Sequence, residues 1–281
     1  MSSDHLMWRR RPTLDKPILI AAFDGWNDAG DAATWAVRHL AQRWDAETFA
    51  EIDPESFYDF SNLRPVVELD GDQRVLHWPE NAFASTSDPR SLILLQGIEP
   101  QMRWRTYTHQ IISLAQELDV AMVVTLGALL AEIPHSRPVS IYGGSDDAAV
   151  RDRLDLERST YEGPTGIVGV LNTAAREAGI PSASLWAAVP NYVSGAASPK
   201  AALALVDRLQ ELLSINVSVT DLEIASSAYE RQITELVAED DETAEYIRSL
   251  EEQYDDGELA DPDPSALVEE VEQFLRDQPD S

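Results

Sequence analysis

Short apolar segments alternate with helical patterns along most of this chain, and this alternation restricts it to one class of fold. The alternation extends from about residue 17 to residue 214. The run Ile18–Ala22 predicts a buried strand, and the Ala-rich segment that follows it and reaches Leu40 predicts an amphipathic helix. Strands that alternate with helices form a largely parallel sheet covered by helices on both faces. We therefore expect an α/β fold, a three-layer α/β/α sandwich with a mostly parallel sheet.

The composition divides the chain into four segments. We expect a flexible lead-in at 1–16, an α/β core at 17–219, a helical appendage at 220–254 and an acidic, partly ordered tail at 255–281. The segment Thr220–Glu223 has the spacing of a capping box, which favours the start of a helix there. Within the tail, residues 265–276 have apolar side chains spaced for a short amphipathic helix.

A β-hairpin is expected to be inserted in the core at about 64–78. Asp70-Gly71 stands between two β-rich runs there, which is a strong hairpin signal. Prolines at both outer ends favour an edge or protruding ribbon, because proline cannot donate to a central ladder. The ribbon is too apolar to remain freely exposed. We expect it to form a homo-oligomer interface through Val66, Val67, Val75, Leu76 and Trp78.

The charge of the chain excludes several classes of partner. The sequence has 50 Asp and Glu residues against 21 Lys and Arg residues, which gives a net charge of -29. Such a surface repels phosphate backbones, so we expect no nucleic-acid partner. No apolar run approaches the ~20 residues that span a bilayer, so we expect no membrane partner. The absence of cysteine rules out a disulfide framework, and a cytoplasmic location fits these features.

The loop at 23–33 follows the first strand, where α/β proteins usually bind ligands. Its acids Asp28 and Asp31 occupy the first helical turn and compete with an anion for the helix dipole, so phosphate is disfavoured. The turn also lacks the lysine of a Walker loop. Two interpretations remain open. Either Asp24, Asp28 and Asp31 bind a hard cation, or Asp28 or Asn27 caps the helix.

Further polar loops follow the other predicted strands, and each has a structural alternative. Glu99 and Arg103 are spaced for an i,i+4 ion pair. In Gly163–Gly166, either Thr165 and the nearby N–H groups hold an anion or carboxylate, or the loop forms a tight start of a helix. A general-base role for His135 would need an orienting partner. The full candidate cleft comprises Asp24, Trp26, Asn27, Asp28, Glu99, Arg103, His135, Arg137, Gly163, Thr165, Gly166, Asn191 and Tyr192.

No recognised catalytic motif accompanies these loops. Neither a G-x-S-x-G nucleophile elbow nor an H-E-x-x-H zinc motif occurs. We therefore assign no catalytic residue and no dedicated metal site, and the sequence names no cofactor.

The order of five motifs gives the chain a family resemblance between about residue 17 and residue 254. The motifs are Phe23–Gly30, Gly97–Pro100, Ile133–Pro138, Gly163–Ile167, and Ser184–Ala187 with Val189-Pro190. Together they resemble the actinobacterial branch of the proteasome assembly chaperone 2 family. Relatives often carry histidine where this chain has Asn191, so a family-wide acid or base role at that position would not extend to it.

The resemblance implies a core similar to that of nucleoside phosphorylases and some peptidases, which is a phosphorylase/hydrolase-like sandwich. It also implies a cytoplasmic homo-oligomer, and the fold relatives suggest a trimer. Eukaryotic relatives are chaperones of proteasome α-ring assembly, so the resemblance implies proteasome components as partners.

Two functions are compatible with these features. The first is an oligomeric assembly or scaffolding factor with a polar cleft at the strand carboxyl ends. The alternative is a small-molecule-binding enzyme of phosphorylase/hydrolase type, over which 220–254 closes as a lid. An enzyme should bring its polar loop residues together in a deep pocket. In a chaperone, the same residues would be dispersed or held in structural hydrogen bonds.

Overall fold

The computed structural model describes residues 5–159 and 161–257. The strands are β1 (Leu6–Trp8), β2 (Ile18–Asp24), β3 (Glu47–Ile52), β4 (Val66–Asp70), β5 (Gln73–His77), β6 (Ala82–Thr86), β7 (Leu92–Ile98), β8 (Met122–Ala131), β9 (Ile141–Gly144) and β10 (Ser182–Pro190). The helices are α1 (Ala32–Arg43), α2 (Trp104–Glu117), α3 (Ala148–Leu154), α4 (Ile167–Glu177), α5 (Pro199–Leu213), α6 (Thr220–Val237) and α7 (Asp241–Asp255). No helix in these described ranges is long and apolar enough to cross a membrane.

All strands except β4 and β5 join one eight-stranded sheet in the order β1-β3-β6-β7-β2-β8-β10-β9. The four strands β7, β2, β8 and β10 pair in parallel. The strands outside them pair antiparallel with their neighbours. Five of the eight strands, namely β3, β7, β2, β8 and β10, therefore run in the same direction, which confirms the expected α/β class.

Successive residues of β2 enter two different cores, because side chains on a strand alternate between its faces. Ile18 and Ile20 belong to the core on the side of α1 and α5. Leu19 and Phe23 belong to the core on the side of α2 and α4. Helices thus cover both faces of the sheet, and the predicted three-layer α/β/α sandwich is confirmed.

Three strand predictions need correction. The expected lead-in at 1–16 contains β1, which pairs antiparallel with β3 at the edge of the sheet and packs Leu6 and Trp8 against the core. Strand β6, which pairs with both β3 and β7, has no counterpart in the prediction. The apolar run Val120–Leu126 predicts a strand that ends at Gly127, but β8 continues to Ala131 because it pairs with β10 that far.

The hairpin forms a separate two-stranded ribbon, as predicted. Asp70 pairs with Gln73, so Gly71 and Asp72 form a two-residue turn, and Gly71 adopts the φ of 61° that such turns require. Every residue of β4 and β5 is exposed.

The helical appendage consists of α6 and α7, and it closely matches the predicted 220–254. Helix α6 packs along α5. The acidic tail beyond residue 257, with the helix expected at 265–276, lies outside the described residues.

Candidate functional site

The polar loops follow β2, β7, β8 and β10, which are parallel. Parallel strands end at the same edge of a sheet, so these loops all lie at the carboxyl edge. An isolated bridge between Asp28 and Ala128 joins the first of these loops to β8.

Asp28 caps helix α1 with its side chain. Its Oδ1 accepts hydrogen bonds from the backbone N–H of Ala33 at 2.6 Å and of Thr34 at 3.3 Å, and its Oδ2 accepts one from the Thr34 hydroxyl at 2.5 Å. Asp31 lies at the position next to the helix but makes no side-chain cap. The capped-turn interpretation is therefore confirmed for Asp28. Burial raises the pKa of this carboxyl to about 6, although the hydrogen bonds oppose the shift.

The alternative interpretation of the same loop as a cation site stays a prediction. Asp24, Asp28 and Asp31 each have a carboxylate oxygen within 4.8 Å of the others. Oxygen donors in this arrangement suit Mg²⁺ or Ca²⁺. However, both oxygens of Asp28 already accept hydrogen bonds from α1, whereas Asp24 and Asp31 are exposed.

Glu99 joins three segments of the carboxyl edge. Its Oε1 accepts hydrogen bonds from Asn27 Nδ2 at 2.7 Å and from the backbone N–H of Ile167 at 2.8 Å. Its own N–H donates to the carbonyl of Asp24 at 2.8 Å. Ile167 begins α4, so the carboxylate also interacts favourably with the positive end of that helix. Glu99 therefore has a structural role at this edge.

The ion pair expected between Glu99 and Arg103 does not occur among the described residues. The two residues do not share a helix, because α2 begins only at Trp104 and Arg103 has a left-handed backbone with φ of 56°. The guanidinium of Arg103 instead lies 6.0 Å from the ring centre of Phe57.

Gly166 allows the loop before α4 to approach Asn27 closely. A Cβ at this position would lie 2.2 Å from Asn27 Oδ1 and 2.4 Å from Nδ2. Asn27 is only 1% exposed, and its amide is held by Glu99. The expected tight start of the helix is thus present. The neighbouring candidates Gly163 and Thr165 are exposed, as is Trp26 of the first loop.

His135 lies in a second group of contacts, beneath the helical appendage. Its backbone N–H donates to Tyr192 Oη at 2.7 Å, and its Nδ1 lies 2.9 Å from the same oxygen. Its Nε2 lies 3.0 Å from Thr234 Oγ1, and that hydroxyl donates to the carbonyl of Glu230 at 2.8 Å. These bonds are satisfied together when Tyr192 donates to Nδ1 and a neutral imidazole donates from Nε2.

The surroundings of His135 lower its pKa, although Glu230 and Glu251 oppose the shift. His135 is buried, and burial lowers its pKa, as does the positive charge of Lys200. Lys200 donates to the carbonyl of His135 at 2.5 Å and forms an ion pair with Glu230 at 2.7 Å. Burial also raises the pKa of Tyr192, which keeps its hydroxyl protonated. The imidazole is thus oriented by Tyr192 and Thr234 in contacts that bind the appendage.

Arg137, in the loop after β8 that also contains His135, binds α7. It donates two parallel hydrogen bonds to Asp255, at 2.8 and 2.7 Å, and the Ser136 hydroxyl donates to Glu251. Paired N–H groups on one carboxylate make a strong, directional contact. The Tyr192 ring meets the Tyr246 ring edge-on at 6.3 Å, which adds an aromatic contact from α7. Asn191 begins a short turn after β10 and is half-buried.

We expect Arg137→Gln to loosen α7, because the variant loses the paired hydrogen bonds to Asp255. Amide hydrogen exchange across 241–255 should become faster, by severalfold at the most protected positions. Arg176→Gln is the matched control, since Arg176 pairs with Asp146 elsewhere on the surface. Unchanged exchange in α7 would show that Arg137 does not hold the helix.

The candidate residues thus separate into two groups. Asn27, Glu99 and Gly166 lie together at the start of α4, whereas His135, Arg137 and Tyr192 lie beneath α6 and α7. No hydrogen bond or ion pair within 5–159 and 161–257 connects one group to the other.

Sequence reasoning missed the residues of the appendage that contact the second group. They are Glu230, Thr234, Glu251 and Asp255, together with Lys200 of α5. Glu230 and Thr234 are spaced i,i+4 and so share one face of α6. That spacing was readable in the sequence, but it does not identify a partner.

Comparisons with known proteins identify solved structures that share this fold. A PAC2 family protein from Streptomyces avermitilis is 46% identical with a TM-score of 0.77, and the match covers 82% of this chain and 99% of that one. A proteasome-assembly chaperone homologue from Mycobacterium tuberculosis is also 46% identical, with a TM-score of 0.74 and the same coverage. An archaeal proteasome activator from Pyrococcus furiosus, 19% identical over 82% of this chain and 97% of its own, has a TM-score of 0.67 and shares the fold. The comparison with curated proteins found no match.

The molecule is therefore an α/β/α sandwich protein with an exposed hairpin and a helical appendage docked at the carboxyl edge of its sheet. The PAC2 family model matches residues 22–237. The chain belongs to the PAC2 family, and the resemblance predicted from its motifs is confirmed.

Proposed function

We propose that this chain is a homo-oligomeric assembly or scaffolding factor that acts on proteasome components. The exposed hairpin carries the proposal, because it presents apolar side chains that a stable monomer would normally cover. Val66 is 57% exposed, Leu69 76% and Trp78 45%. The names of two relatives, a proteasome-assembly chaperone homologue and a proteasome activator, support the choice of partner.

The contacts at the carboxyl edge favour assembly over catalysis. Asn27, Asp28 and Glu99 are engaged in hydrogen bonds that hold loops and helix ends together. His135 and Arg137 are engaged with the appendage. A catalytic cleft would keep several such groups directed at a substrate. We therefore place the activity of the protein in its surfaces, with the polar edge as part of the scaffold.

The hairpin is the proposed homo-oligomer interface, through Val66, Val67, Val75, Leu76 and Trp78, and the proposed assembly is a trimer. Deletion of 66–77 should give single chains by light scattering, because the deletion removes the apolar ribbon. Val66→Ser with Val75→Ser should shift the mass in the same direction while keeping the hairpin. The control is Ile224→Ser with Leu236→Ser, two exposed apolar residues of α6.

An unchanged mass in both hairpin variants would contradict the proposed interface. Native mass spectrometry of the protein isolated from its host tests the partner. Co-purification of proteasome subunits is expected, and their absence at every salt concentration would contradict the proposed partner.

A further inference from the structure

A groove of about 320 Å³ lies beside the base of the hairpin, at the carboxyl ends of β3 and β7. One wall is formed by 51–55, the end of β3 and the turn after it, and the other by 76–81, the end of β5 and the segment that leads to β6. Met7 of the edge strand β1 also lines it. Its volume is at the lower end of the range for binding pockets, so it accommodates a short segment rather than a domain.

The walls of the groove combine apolar and acidic side chains. Met7, Leu76 and Trp78 are each close to half-exposed. The Trp78 ring packs edge-on against Phe60 at 4.8 Å, which fixes it as part of the wall. An occupant that covered these three side chains would be stabilised by about 25 cal/mol for each Å² of apolar surface buried.

The rim of the groove carries negative charge that the chain itself does not neutralise. Glu51 pairs with Arg9. Asp53 accepts a hydrogen bond from the backbone N–H of Glu55. Within the described ranges, the carboxylates of Glu55 and Glu80 form no ion pair, and both residues are exposed. An occupant with cationic side chains would therefore complement the rim.

Asn81, at the floor of the groove, is buried and held by hydrogen bonds from both ends of its side-chain amide. Asn81 Nδ2 donates to Tyr58 Oη at 2.7 Å. Asn81 Oδ1 accepts from Tyr107 Oη at 2.7 Å and from the backbone N–H of Ile98 at 3.0 Å. Recognition at this groove therefore rests on its apolar walls and its acidic rim.

The apolar surface continues from the groove along one face of the hairpin. Val67 pairs with Leu76, and the alternation of side chains places Leu69 and Trp78 on the same face. This surface is longer than a small molecule can cover, which favours a polypeptide as the occupant. Val67, Leu76 and Trp78 also belong to the proposed homo-oligomer interface, so an occupied groove would leave contacts between copies to Val66 and Val75 on the opposite face.

We infer that this groove is a docking site for an extended segment of a partner protein in which basic residues alternate with apolar ones. The inference rests on the proposed assembly function, to which it adds the chemistry of the client segment. A second copy of the chain is the competing occupant, and the oligomer mass of the groove variants distinguishes it from a partner segment.

The test measures binding of fluorescent seven-residue peptides to the full chain by anisotropy. One peptide alternates Arg with Leu, a second alternates Arg with Ser, and a third alternates Glu with Leu. The Arg-Leu peptide should bind about tenfold more tightly than either of the others, and its affinity should fall as salt is added.

Substitutions in the groove test whether the Arg-Leu peptide binds there. Glu55→Lys with Glu80→Lys should lower the affinity of the chain for the Arg-Leu peptide about tenfold. Met7→Gln should lower this affinity severalfold without changing the charge of the chain. Asp152→Lys with Glu177→Lys is the control, because both acids are exposed, lie outside the groove and change the net charge equally. Circular dichroism establishes that every variant is folded.

Equal binding of the Arg-Leu and Arg-Ser peptides, no binding of either, or equal loss in the control variant would each overturn the inference. A fall in oligomer mass in the Glu55→Lys/Glu80→Lys variant would also overturn it, since a second copy would then occupy the groove. A different result would contradict the proposed assembly function, namely an unchanged oligomer mass after deletion of the hairpin.

Discussion

Replacement of Gly166 by alanine is expected to lower the free energy of unfolding by about 3 kcal/mol. The added Cβ would lie 2.2 Å from Asn27 Oδ1, well inside van der Waals contact. The Asn27 amide is buried and bonded to Glu99, so it can retreat only by giving up that bond. The substitution therefore combines overpacking with the loss of a hydrogen bond, and urea denaturation measures the sum.

Two further variants show whether the contact with Asn27 is the cause. Gly195→Ala is the matched control, because a Cβ at Gly195 meets no atom within 4 Å. Asn27→Ala combined with Gly166→Ala should recover part of the lost stability, since the atoms that clash are then gone. If Gly166→Ala and Gly195→Ala have equal effects, the close approach to Asn27 is not what requires glycine.

The sequence predicts those parts of the structure whose causes are local. Ser198-Pro199 predicts the start of a helix that continues through Leu213, and α5 occupies Pro199–Leu213. Ser198 caps this helix by accepting a hydrogen bond from the Ala201 N–H at 3.3 Å, and Pro199 stands at its first position. The hairpin is likewise specified by its own turn. The position of the candidate loops at one edge was also predictable, because it follows from the parallel strands.

Features that depend on distant partners were not predictable in the same way. Strand β1 has only three residues, too few for a periodic pattern, and it exists because β3 offers it an edge. Ile167 lies 68 residues from Glu99, and Thr234 lies 99 residues from His135. A spacing rule reaches only one or two helical turns, so the sequence indicated which loops are polar but not which side chains meet.

These distant contacts also indicate whether α6 and α7 form a lid that opens or a fixed part of the fold. A lid that opens during turnover is expected to have few contacts at its base. The appendage instead meets the loop after β8 through Arg137 and Ser136, and meets His135 through Thr234. The structure therefore supports α6 and α7 as an integral part of the scaffold, in keeping with the proposed assembly function.

Replacement of Asp28 by asparagine is expected to remove a pH dependence of stability that the wild-type chain carries. Burial raises the pKa of this carboxyl from its ordinary value of 3.8 to about 6. Between these pH values the folded chain binds more protons than the unfolded chain, so the free energy of unfolding falls as the pH rises and levels off above about pH 6. A difference of about 2 in pKa corresponds to about 3 kcal/mol.

Asparagine can keep the geometry of the cap while removing the charge. Its Oδ1 would accept from Ala33 and Thr34, and its amide would donate to the Thr34 hydroxyl, which lies 3.3 Å from the carbonyl of Asp31 as an alternative acceptor. Urea denaturation at pH 4 and pH 7, with a chelator present, should show the variant gaining about 3 kcal/mol relative to wild type at the higher pH. The exposed substitution Asp15→Asn is the control, and an equal difference at both pH values would show that Asp28 is already ionised at pH 4.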